Sequence, residues 1–138
     1  MKRVMVFGVF DLLHEGHRAF LAEARRHGDI LIVLVSRDRT AEILKGKRPR
    51  QNEKTRRAAV EKVEAVSSSL LGDKSLSSYR ILLKEKPDII CLGYDQDSLE
   101  KDLCTQMREG KIPAIPLRRL APHKPEKFHT SLAYGAPS

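Results

Sequence analysis

A chain of 138 residues with 41% hydrophobic and 32% charged content has the make-up of one soluble globular domain with a core of ordinary size. No apolar run approaches the roughly 18–20 residues of a membrane span, and Met1-Lys2-Arg3 leads straight into a strand pattern, so the expected setting is cytoplasmic. The net charge of +8 admits either nucleic acid or a small polyanion as partner, and the placement of that charge decides between them.

In chain order, Val4–Phe7 reads as a first strand, followed by a glycine-broken turn and a helix over Arg18–His27 that buries Ala19, Phe20 and Ala24. Ile30–Val35 is apolar throughout, the pattern of a parallel strand covered on both faces. A basic loop follows, and Asn52 is placed to cap a helix to about Val66 with Ala59, Val60 and Val63 on one side. Ser68–Leu71 is a short strand; Ser77 or Ser78 caps a helix through Lys86 that Pro87 ends; Asp88–Leu92 is a further strand. Ser98 begins a helix closed by Gly110, and Ile112–Leu117, with Pro113 and Pro116, belongs at a sheet edge. Strands alternating with helices predict an α/β, Rossmann-like, doubly wound parallel sheet of about five strands. Ligands of such sheets bind beyond the carboxyl ends of the strands. Cys91 and Cys104 have no metal-ligand spacing and read as buried free thiols.

The chemistry concentrates in Gly8-Val9-Phe10-Asp11-Leu12-Leu13-His14-Glu15-Gly16-His17. Two histidines three residues apart at a helix start share one face, about 5–6 Å apart at Cβ. They stand beside backbone N–H groups at the positive end of the helix dipole, which is an anion site. Imidazoles there can donate hydrogen bonds to phosphate oxygens. The ordinary alternative is a helix cap at His14 and a solvated His17. Downstream, the stretch 45–57 carries Lys45, Lys47, Arg48, Arg50, Lys54, Arg56 and Arg57 against Glu53 alone, with no aromatic residue between 21 and 78 to stack bases. Small polyanions are therefore favoured over nucleic acid. Lys45 and Lys47, on a loop broken by Gly46 and Pro49, can flank a triphosphate, and Arg56 can fork onto its oxygens. In Gly93-Tyr94-Asp95-Gln96 the glycine allows close backbone approach, and Asp95 and Gln96 can bond ribose hydroxyls or a base edge; a plain turn would use the same residues.

The decapeptide matches every fixed position of GxFDxxHxGH, and the chain is identified by it as a member of the cytidylyltransferase-like nucleotidyltransferases. Lys45, Lys47 and Arg56 are similar in spacing to glycerol-3-phosphate cytidylyltransferases. Leu92–Gln96 and the distance from Arg119 to Phe128-His129-Thr130-Ser131 resemble archaeal-type FAD synthetases. His129 departs from both groups, and the cysteine usual in the FAD synthetases is replaced by Glu126-Lys127. The resemblance implies a nucleotidyltransferase domain over 1–131 with a short tail at 132–138, and a homodimer. It implies that His14 and His17 stabilise the transition state, that Lys45 and Lys47 close over the phosphates, and that Arg56 and Arg119 clamp. Gly8, Val9, Phe10, Asp11, Gly16, Gly93, Tyr94, Asp95, Gln96, Thr130 and Ser131 would complete the nucleotide and substrate site. Mg²⁺ would arrive with the nucleoside triphosphate, with Asp11 the nearest carboxylate to support it.

The chain has no serine elbow, no Walker loop and no carboxylate cluster for two metals. The reaction expected is in-line attack by a phosphorylated acceptor on the α-phosphorus, expelling pyrophosphate. ATP with FMN, giving FAD, is the first expectation. CTP with a small phosphorylated alcohol such as glycerol 3-phosphate is the second. A nucleotide- or RNA-binding module with lost activity is the non-enzymatic alternative.

Overall fold

The computed structural model describes residues 1–74 and 79–122. The strands are β1 (Arg3–Gly8), β2 (Ile30–Val35), β3 (Ser68–Leu71), β4 (Ile89–Leu92) and β5 (Leu117–Arg119). The helices are α1 (Glu15–Arg25), α2 (Asp38–Lys45), α3 (Glu53–Glu61), α4 (Arg80–Glu85) and α5 (Asp97–Arg108). The strands form one parallel sheet in the order β3-β2-β1-β4-β5, the expected doubly wound arrangement. The chain winds outward from β1 through β2 to β3, then crosses to β4 on the other side of β1. The switch in direction therefore lies between β1 and β4, where side crevices open at the carboxyl ends of the strands.

Alternation along the strands divides the core in two. Val4, Val6, Leu31, Val33 and Cys91 pack with Phe20, Leu21 and Ala24 of α1 and Val60 of α3. Met5, Ile32, Leu34, Ile90 and Leu92 pack with Leu82 of α4 and Leu103 of α5 on the opposite face. Each buried Val, Leu, Ile, Phe or Met side chain among them contributes roughly 1.5–3 kcal/mol.

Several boundaries differ from the sequence reading. Helix α1 starts at Glu15, because His14 is its N-cap, and buries Leu21 where Ala19 was expected. Asn52 caps α3 as expected, accepting from the Thr55 N–H at 2.8 Å. That helix stops at Glu61, after which the Lys62, Val63 and Val66 N–H groups bond three residues back and carry the chain into β3. Helix α2 has no sequence cap and buries only Ala41, while Ile43 and Leu44 are exposed, so its periodicity was hidden. Tyr79 occupies the N-cap position of helix α4 without a side-chain capping bond; Ser77 and Ser78 lie outside the described residues. Helix α5 begins at Asp97, with Gly110 beyond its end at φ +74°. The edge strand starts at Leu117, because Pro113 and Pro116 have no N–H for the ladder; Pro116 instead accepts from Ile90 N–H at 2.9 Å. Cys91 is buried, but Cys104 is exposed, contrary to expectation; both are free thiols. No helix among the described residues is long and apolar enough to cross a membrane.

Candidate active site

Strand β1 ends at Gly8, whose carbonyl accepts from the Ser36 N–H at 2.9 Å, and the chain then turns sharply. Phe10 and Leu12 take left-handed backbone at φ 54° and 51°, a conformation costing a non-glycine residue about 1–3 kcal/mol. Two long-range ties hold the turn. The Arg56 guanidinium donates to the Val9 carbonyl at 2.8 Å. The Asp11 carboxylate accepts from the Arg50 and Gln51 N–H groups at 2.8 and 2.9 Å. Phe10 is thereby sealed in the core with its ring edge-on beneath His17, centroids 5.5 Å apart.

The two histidines form a capping box. His14 Nδ1 accepts from the Gly16 N–H at 3.0 Å, and His17 Nδ1 accepts from the His14 N–H at 3.2 Å. With both Nδ1 atoms acting as acceptors, the proton of each neutral ring belongs on Nε2. The rings stack with centroids 3.8 Å apart. A Cβ on Gly16 would stand 2.9 Å from His14 Cε1, so a glycine is needed for the ring to fold over its own helix. The alternatives raised by the sequence merge: His14 is the cap, and His17 is buried rather than solvated.

Burial pushes the His17 imidazole down to about 3, helped by the neighbouring His14, Arg18 and Lys45 and opposed by Asp11. His14 is lowered as well, by burial and by Arg18. Both rings are neutral donors at pH 7. The unfolded His17 ring takes up a proton below its ordinary 6.5, whereas the folded ring resists until about 3. Stability that is complete above pH 6.5 is thus lost as pH falls toward 3. The slope attributable to this ring is roughly 1.4 kcal/mol per pH unit inside that window. Urea midpoints measured from pH 7 to 4 should fall for the wild type and fall less steeply for His17→Asn; equal slopes would refute a buried neutral ring.

The basic segment is organised differently from the expected loop. Lys45 is the last residue of α2, and Gly46, at φ 80°, ends the helix. Lys47 is exposed. The far end of the segment is stitched to the β1 turn by Asp11 and by Leu12 N–H donating to Gln51 Oε1 at 3.2 Å. Arg56 corrects the sequence reading most clearly. Its side chain is fully buried, donating to Asp38 Oδ1 at 2.8 Å, Val9 O at 2.8 Å and Gln51 O at 3.0 Å. In this arrangement it fastens three segments together and presents no fork to a phosphate.

Beyond β4, the Gln96 side chain is also turned inward. Its Oε1 accepts from the Gly93 N–H at 2.8 Å and its Nε2 donates to Phe7 O at 2.9 Å, tying β4 to β1 across the switch point. Tyr94 is exposed, and its carbonyl accepts from Arg119 Nη1 at 2.7 Å. Arg119 pairs with Asp97 at 2.9 Å and with Glu100, so its charge is balanced by α5 and its clamp role is not visible in this geometry. Thr130 and Ser131, with Phe128 and His129, lie outside the described residues.

A cavity of about 510 Å³ opens at the carboxyl ends of the strands, within the ~300–1,000 Å³ of small-molecule sites. It brings together Gly8, Val9, Lys45, Asp95 and Gln96 of the predicted residues. His14, His17, Arg56 and Arg119 are not on its wall. Its lining also includes Phe7, Leu34, Arg37, Tyr79, Leu99 and Asp102. The sequence reading passed over Tyr79 and Asp102, since one precedes a six-residue helix and the other is an acid on a mostly polar helix. Among the described residues no group of three or more His, Cys, Asp or Glu side chains is placed to hold a metal ion. Asp11, the expected supporting carboxylate, is engaged by two backbone N–H groups. The described residues form no resident metal cage.

Comparison with known proteins agrees with this architecture. The Cytidylyltransferase-like family profile matches residues 5–131. A protein of Aciduliprofundum boonei named FAD synthase is 46% identical over 121 residues, covering 86% of this chain and 80% of the relative. One of Ferroglobus placidus with the same name is 38% identical, covering 86% of this chain and 76% of the relative. The crystal structure of a lipopolysaccharide core biosynthesis protein from Thermoplasma volcanium superposes with a TM-score of 0.80 at 37% identity, covering 90% of this chain and 99% of that one. The strand-turn-helix with its histidine capping box, set at the switch point of a five-stranded parallel sheet, therefore has its family: the chain belongs to the cytidylyltransferase-like family.

Proposed function

We propose that the protein is a nucleotidyltransferase that moves the adenylyl group of ATP to FMN, giving FAD and pyrophosphate. The observation that carries the reaction class is the stacked, neutral His14–His17 pair, whose Nδ1 atoms accept within the helix cap, so that the ring protons sit on Nε2, where phosphate oxygens would receive them. The choice of ATP and FMN rests on the relatives named FAD synthase at 46% and 38% identity, and the largely apolar cavity suits a broad ring better than a short alcohol.

In this reading a phosphate oxygen of the acceptor forms the new P–O bond at the α-phosphorus while the bond to pyrophosphate breaks, the electron pair leaving with pyrophosphate. Charge gathers on the oxygens of the α-phosphorus and of the leaving group. Neutral imidazole N–H groups held by a helix cap strengthen their bonds to those oxygens without reorganising. Lys45, ending α2 on the cavity wall, and Lys47, exposed two residues further on, would add positive charge for the phosphates. In the same reading Gly8, Val9 and Gly93 would allow close backbone approach, and Asp95 and Tyr94 would meet the nucleoside. Phe10, Asp11, Gly16, Gln96 and Arg56 hold the frame; Thr130, Ser131 and Arg119 would meet the terminal phosphates. Mg²⁺ enters as part of the triphosphate substrate. The homodimer implied by the resemblance and the cytoplasmic setting read from the sequence belong to the same proposal.

The test is a panel of four nucleoside triphosphates against FMN and glycerol 3-phosphate, read as pyrophosphate and as product by chromatography. ATP with FMN should give FAD in preference to every other pairing. Preferential turnover of CTP with glycerol 3-phosphate would replace this reading with the cytidylyl one. No pyrophosphate from any pairing would leave a binding module.

A further inference from the structure

The cavity contains an aromatic corner that none of the catalytic groups explains. Tyr79 and Phe7 meet edge to face, centroids 6.0 Å apart and planes at 83°, and both residues line the cavity. The Tyr79 hydroxyl donates to Asp102 Oδ2 of α5 at 2.6 Å, a short charge-assisted bond that fixes the ring. Tyr79 holds this position with left-handed backbone, φ 49°, as the N-cap of α4. A strained tyrosine, anchored at its far end and facing a cavity, is a pattern associated with ligand clamps.

The charges around the corner have a direction. Among the lining residues the cations, Lys45 and the Glu53-paired Arg37, stand on the α2 side, with Asp73 next to the Gly72 carbonyl that Arg37 bonds, whereas Asp95 and Asp102 line the cavity beside α5. A phosphorylated acceptor is drawn with its phosphate toward the lysine side, near Gly8, and its uncharged portion toward the tyrosine side. We propose that Tyr79, locked by Asp102 and buttressed by Phe7, is the specificity-determining platform on which a planar, ring-bearing phosphorylated acceptor stacks, and that this corner selects against small phosphorylated alcohols. The assignment rests on the adenylyl-to-FMN reading above and deepens it by placing the acceptor's ring.

Steady-state kinetics with separate KM values for FMN and ATP test it, alongside quenching of FMN fluorescence on binding without ATP. Tyr79→Leu should raise the KM for FMN about tenfold or more, the scale of one lost ring stack. It should leave the KM for ATP within about twofold and abolish most of the quenching. Should Tyr79→Leu fail to fold by circular dichroism, Tyr79→Phe and Asp102→Asn, close in volume, carry the test. Each should raise the FMN KM about threefold by loosening the ring, and the double variant should do no worse than either single one, because both act through one bond. Variants that raise the ATP KM, or that leave both KM values and the quenching unchanged, would overturn the platform. Wild-type protein that forms no FAD would instead overturn the function reading, and this assignment with it.

Discussion

His14→Asn and His17→Asn should each lower kcat by about 10²–10³-fold while leaving a folded protein, a loss of the size found for removing one preorganised donor to a developing oxyanion. Asparagine is chosen because its oxygen can stand where Nδ1 stands. The acceptor for the Gly16 N–H, or for the His14 N–H, is retained, while the Nε2–H donor is deleted. An Ala at the cap position would also cost about 1 kcal/mol of helix stability, confusing two effects. For His14→Asn the thermal midpoint should move little. For His17→Asn a modest drop is expected, because a buried ring against Phe10 is lost. Single-turnover formation of FAD from ATP and FMN separates chemistry from product release. Either variant turning over at the wild-type rate would remove the pair from catalysis and leave it as a cap alone.

The second large effect is on stability. Arg56→Ala should cost about 3–5 kcal/mol, the scale for breaking a buried ion pair from one side. Asp38, largely buried, would lose the guanidinium at 2.8 Å, and the Val9 and Gln51 carbonyls would lose their donors in the interior. Arg56→Lys should recover only part of this, since one ammonium cannot fork to three acceptors on separate segments. Urea denaturation should show a lowered midpoint with an unchanged m-value. Activity should fall as the folded fraction falls, because the same guanidinium holds the turn that leads to His14. A variant of wild-type stability whose only defect is a raised KM for ATP would return Arg56 to the phosphate clamp its spacing had suggested.

The contrast between these two predictions follows what was legible in the chain. The capping box lies within four consecutive residues, so the order Gly8, Asp11, His14, Gly16, His17 contains the strand end, the turn and the helix start together. The Asn52 cap and the uniformly apolar Ile30–Val35 are equally local, and the parallel sheet follows from their alternation. Local geometry needs only near neighbours in the chain, and a sequence displays those directly.

Tertiary structure alone decided what the remaining polar residues face. Arg56 reaches Val9 across 47 positions, Gln96 reaches Phe7 across 89, and Tyr79 reaches Asp102 across 23. A charged residue early in a helix reads the same whether it meets a phosphate or a buried carboxylate, and an Asp in a turn reads the same whether it supports a metal or pins a distant loop. Asp11 binding the backbone at 50 and 51 is of that kind. Packing determines which groups lose water, and only then does desolvation make one guanidinium structural, two imidazoles neutral and one tyrosine a fixed wall. The reaction type was therefore readable from ten adjacent residues, whereas the cavity at the carboxyl ends of the strands exists only where those ends stand side by side.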